Sequence, residues 1–94
     1  MSSKREIFQA KLLNCSADLQ RSAMSFYLNP QGQTHRVFLS HALGILRGLN
    51  TTKARKFLTR LKRVGKEMNF SADDAQVKRV ADDILTLGLL LKPV

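Results

Sequence analysis

Lys53, Arg55, Lys56, Arg60, Lys62, Arg63 and Lys66 bring seven cations together within a few helical turns, followed by a single acid, Glu67. Ammonium and guanidinium groups at this density neutralise phosphates and release the counterions condensed on nucleic acid, which gives affinity without base sequence. At about 100° per residue the seven, with Thr52 and Thr59 among them, fill one half of a helix. Ala54, Phe57, Leu58, Leu61, Val64, Gly65 and Met68 fall within an arc of roughly 120° on the other half. Seven cations against one acid give this segment +6 of the chain's net charge of +9. A solvated face serving stability alone would alternate signs, gaining about 0.2–0.5 kcal/mol for each i,i+4 pair. Here Lys56/Arg60 and Lys62/Lys66 repel at that spacing, so the pattern points to an anionic partner.

Other chemistry has less to stand on. His35 and His41 are six residues apart, about 120° from each other on a helix, and cannot share a ligand position. With one cysteine and no His-x3-His or Cys-x2-Cys spacing, no metal site is expected. Cys15 lies in an apolar stripe and reads as a small core residue. His41, at an apolar edge, reads as a packed, hydrogen-bonded histidine. The adjacent pairs Asp73-Asp74 and Asp82-Asp83 point in different directions on a helix. No Gly-rich phosphate loop is present. Neither catalysis nor a cofactor is expected.

The elements that must position the cationic strip follow from turn signals and apolar periodicity. The 94 residues suit one domain, 1–94. Asn29-Pro30-Gln31-Gly32-Gln33 is a turn; Gly48-Leu49-Asn50-Thr51-Thr52 is a second, with Gly near one helix end and Asn or Thr to cap the next. A softer break at Asn69-Phe70-Ser71 precedes Ser71-Ala72-Asp73-Asp74, a helix start with acids in its first turn. Pro93 closes the last segment. The fold class is therefore all-α: a compact bundle of about four antiparallel helices near 3–28, 34–49, 51–68 and 71–92.

The first helix has two apolar stripes: Phe8, Leu12, Cys15, Leu19 and Phe26, and, almost opposite, Ala10, Leu13, Ala17, Met24 and Leu28. Either the other three helices wrap it, or one stripe forms a homodimer interface. The second buries Phe38, Leu39, Ala42, Leu43, Ile45, Leu46 and Leu49. Val37, His41, Gly44 and Gly48 on its other side suggest a groove admitting another backbone. The fourth aligns Val77, Val80, Ala81, Ile84, Leu87 and Leu91 against Lys78, Arg79, Asp82 and Asp83. Its leucine-rich end is expected to be covered by the core or by a second chain.

These patterns imply a small basic binding protein of cytoplasmic location, with no signal peptide and no apolar run of the ~20 residues a membrane span needs. The leading expectation is contact with the nucleic-acid backbone, weakly sequence-specific and with a regulatory role open, through Lys53, Arg55, Lys56, Arg60, Lys62, Arg63 and Lys66. Arg36 and Arg47 would extend the surface, and backbone N–H groups near Thr51 and Thr52 would add a phosphate site. The short turn before the strip also allows a DNA-binding helix-turn-helix, though the face lacks the Asn and Gln that read adenine. The alternative is an adaptor, inhibitor or chaperone-like module docking an acidic protein.

Overall fold

In the computed structural model, which describes residues 4–68 and 73–92, helices run wherever the apolar spacing is unbroken. They are α1 (Lys4–Leu28), α2 (Thr34–Leu49), α3 (Thr52–Lys66) and α4 (Asp74–Leu91). The all-α four-helix bundle expected from the sequence is the architecture found. The Asn69-Phe70-Ser71 break, the helix start proposed at Ser71, and Pro93 lie outside the described residues. The described part of α4 begins at Asp74, with the Asp73 carboxylate accepting the Gln76 N–H at 2.8 Å as its cap.

Each turn has its own chemistry. The Gly32 N–H donates to the Asn29 carbonyl at 3.1 Å across Pro30 and Gln31. Asn first, Pro second and Gly fourth is the residue order of a type I turn. Between α2 and α3 the left-handed residue is Asn50 (φ 48°), so Gly48 is not the helix terminator; it belongs to α2. Asparagine tolerates this conformation better than other non-glycine residues. Thr51 then caps α3, its hydroxyl accepting the Ala54 N–H at 3.1 Å.

The helices pack in a ring. α1 lies beside α2 and α4, and α3 beside α2 and α4, so that α1 and α3 stand diagonally across the core. The first helix is thus flanked on two sides rather than wrapped by all three others. Its stripe of Leu12, Cys15, Leu19 and Phe26 is buried with Leu39, Ala42, Leu46, Leu61, Ile84 and Leu91. Its second stripe is left outside, with Leu13, Met24 and Leu28 exposed. Two buried serines on α1 tie it to its neighbours. The Ser22 hydroxyl donates to the His35 carbonyl of α2 at 2.8 Å, and that of Ser16 to the Gly88 carbonyl of α4 at 2.7 Å.

Gly88, not Gly44, is where two backbones meet. A Cβ on Gly88 would stand 3.1 Å from the Leu19 Cβ and 3.3 Å from the Ser16 carbonyl oxygen. A Cβ on Gly44 or Gly48 would have nothing within 4 Å. The expected small-residue groove on α2 is therefore open surface. Gly44→Ala should stabilise the protein by about 0.5–1 kcal/mol, because glycine in mid-helix loses more backbone entropy and nothing obstructs the methyl. Urea denaturation measures this, and a loss of stability would mean Gly44 is constrained in some other way.

The leucine-rich end of α4 is only half covered. Leu87 and Leu91 are buried, while Leu85, Leu89 and Leu90 are exposed. His41 keeps the expected hydrogen bond but not the packing: its ring is exposed and pairs with the buried Asp18 carboxylate, which Arg21 approaches at 3.5 Å.

His35 is the buried histidine. Its Nε2–H donates to the Pro30 carbonyl at 3.2 Å, and its ring meets Phe26 edge-on with centroids 4.9 Å apart. Since a carbonyl only accepts, Nε2 carries the proton. Nδ1 is then a buried lone pair without a partner among the described residues. Burial lowers the imidazole pKa below its ordinary 6.5, aided by the Arg36 charge and opposed by the Pro30 and Gly32 backbone. The unfolded chain therefore takes up this proton more readily than the folded one. Stability from His35 is full above pH 6.5 and is lost as pH falls toward the lowered value. Unfolding midpoints measured across this range should fall on acidification, and less so in His35→Phe; equal slopes would assign the effect to other groups.

Candidate nucleic-acid interface

The strip exists because α3 must bury one side. Ala54, Leu61 and Val64 are buried and Phe57 and Leu58 half-buried, which turns Lys53, Arg55, Lys56, Arg60, Lys62, Arg63 and Lys66 outward; all seven are exposed. Glu67, the one acid in the segment, is engaged by Arg79 of α4, which also reaches Asp83 at 3.5 Å. Among the described residues none of the seven cations forms an ion pair.

The fold divides the strip into flanks. Lys53, Lys56 and Arg60 surround a hollow of about 210 Å³ beside Phe57. Arg60 and Arg63 continue onto a groove of about 360 Å³ between α3 and α4, with Val64, Leu87 and Leu90 along it. On the other flank Lys62 and Lys66 line a groove of about 540 Å³ with Arg36, between α2 and α3. Arg36 also donates to the Met68 carbonyl at 3.1 Å, a cation placed at the C-terminal end of α3 where the helix dipole favours it. Arg47 is exposed in the last turn of α2. Arg55 donates to the Asn50 side chain at 2.7 Å, at the start of the strip.

The position of Phe57 was not singled out by sequence as anything but core. Its signal lay in the spacing: cations four before, one before and three after it surround one edge of a half-buried ring. At the helix start, Thr51 already occupies the Ala54 N–H, so the expected phosphate site there is reduced.

The helix-turn-helix expectation is not met. Arg36, near the start of α2, reaches Met68 beyond the end of α3, and Leu39 lies against Gly65. Helices diverging from their turn at about 90–120° would hold these ends far apart. α2 and α3 are instead an antiparallel hairpin.

The remaining titratable groups do not compete for the role. Burial pushes the Cys15 thiol up to about 12, assisted by the nearby Asp18 charge, so it is held as the unreactive thiol and donates to the Ala42 carbonyl. No group of three or more His, Cys, Asp or Glu that could hold a metal is found among the described residues. No helix among them is long and apolar enough to cross a membrane. No family model, curated protein or solved structure matches the chain.

Proposed function

We propose that this protein binds nucleic acid through phosphate contacts from the outer half of α3, with little dependence on base sequence. The observation that carries the reading is the unneutralised strip: seven exposed cations, while the adjacent Glu67 is held by Arg79. Mutual repulsion along α3 is relieved when phosphates replace the missing counter-charges. Lys and Arg serve phosphates well, whereas adenine-reading Asn and Gln are absent from this face. The test is titration of labelled duplex DNA or RNA at several salt concentrations.

A second reading has an observation of its own. The groove between α3 and α4 sets the apolar Val64, Leu87 and Leu90 beside Arg60 and Arg63, while its two acids, Glu67 and Asp83, are engaged by Arg79. This suits an amphipathic helix of another protein whose acids reach Arg60 and Arg63. Leu90→Ala separates the two. Adding no charge, it should leave phosphate-led binding nearly unchanged but weaken docking of an amphipathic helix.

A further inference from the structure

Opposite in kind to α3 is the face made by α1 and α4. Leu13, Met24 and Tyr27 on α1 are 49%, 60% and 54% exposed, and Leu85 and Leu89 on α4 are 39% and 55% exposed. Met24, Tyr27 and Leu85 flank a groove of about 300 Å³ that runs past Ala23 and Ala81, with Lys78 and Asp82 at its α4 edge. In a chain with 16 Lys and Arg, this edge of α1 carries no charged residue between Gln9 and Leu28. Along the matching edge of α4 the charges alternate as Asp74, Lys78 and Asp82. The face is apolar at its centre and nearly neutral at its rim.

We propose that this face is the interface of a homodimer. Neutrality selects the partner: nucleic acid and acidic proteins are drawn to α3, whereas two copies of the α1/α4 face meet without like-charge contact. A two-fold axis perpendicular to the helices, in the contact plane and level with the turn between Lys78 and Asp82, lays α4 antiparallel on α4 so that Lys78 of each copy meets Asp82 of the other. An axis along the helices would lay α4 of one copy on α1 of the other, whose edge offers no acid between Gln9 and Leu28 to pair with Lys78. Area is sufficient for a modest dimer, since α1 from Gln9 to Leu28 runs about 28 Å and, over the 21 Å width of the bundle, offers about 600 Å² on each copy, the low end of the ~1,200–2,000 Å² total of specific interfaces. The dimer would carry its two α3 strips on opposite outer sides, about 30 Å apart at helix spacings of 8–10 Å. On the nucleic-acid reading above, such a dimer bridges two segments.

Salt separates the two activities. Two copies of net charge +9 repel at long range, so screening strengthens the dimer and weakens phosphate binding. Light scattering without nucleic acid, at about 50 μM and so above the weak end of standard interfaces, should give about 21 kDa, twice the 10.6 kDa of one chain. The dimer fraction should rise with salt. Met24→Glu, at an exposed position, should give the monomer mass with unchanged helical circular dichroism. Lys78→Glu should weaken the dimer and Lys78→Glu/Asp82→Lys should restore it. A monomer mass for the native chain at every salt concentration, or a dimer that survives Met24→Glu, overturns the proposal whatever nucleic-acid binding shows.

Discussion

Reversing Arg55, Lys56, Arg60 and Arg63 to glutamate is expected to lower affinity for duplex DNA by roughly 10³-fold near physiological salt. Each lost phosphate contact forfeits about 1 kcal/mol at water-like screening, and 1.4 kcal/mol is tenfold in affinity. The four reversals take the net charge from +9 to +1, because each removes two positive charges. The salt dependence should change with the affinity. On B-DNA the slope of log K against log salt is about −0.9 per phosphate neutralised, so losing four contacts flattens it by about 3.6. All four side chains are exposed, so helicity should survive, and circular dichroism checks that. A variant that binds like the native chain would remove α3 from the interface.

The largest expected effect on stability comes from a residue with no side chain. Gly88→Val should destabilise the bundle by about 3–4 kcal/mol. Overpacking costs about 1–3 kcal/mol or more, and separating α1 from α4 also breaks the buried Ser16–Gly88 hydrogen bond, worth about 1 kcal/mol. The obstacle is not a flexible side-chain end. The nearest atoms are the Leu19 Cβ at 3.1 Å and the Ser16 carbonyl oxygen at 3.3 Å, both fixed by the α1 backbone. For a domain whose total stability is about 5–15 kcal/mol, that is a large share. At about 4–8 °C per kcal/mol the midpoint should fall by more than about 12 °C. Gly88→Ala should cost less, since a single methyl asks its neighbours to yield only a few tenths of an ångström. Thermal melts of both variants decide the matter, and a Gly88→Val protein as stable as the native chain would mean α1 and α4 are not in this contact.

The contrast between Gly88 and Gly44 shows where sequence ran out. Both are helical glycines between apolar neighbours, Gly44 inside α2 and Gly88 in the last turn of α4, and periodicity does not say which one meets another helix. Only the crossing of α1 and α4 makes one a close contact and leaves the other in open space. Both stripes of α1 are apolar, and whether one or both are buried depends on where α2 and α4 lie. His35 was hidden by its polarity. It is buried because Phe26 and the Pro30 carbonyl satisfy its ring from one side, and neither contact is visible in helical spacing. What spacing did carry was local: the turn at Asn29–Gly32, the extent of α2 to the residue, and the division of α3 into core and cation. The strip was legible because charge and amphipathicity are properties of one helix. Its division into flanks, its hollow at Phe57 and the loss of Glu67 to Arg79 depend on neighbouring helices, which spacing does not position.

The role proposed for α3 depends on whether its cationic strip holds phosphate. Titrating the native chain against one labelled duplex across a range of salt concentrations tests this directly. With four of the seven cations in contact, log K should fall linearly with log salt at a slope of about −3.6, approaching about −6 if all seven engage. No binding at low salt, or an affinity that does not change with salt, would contradict it.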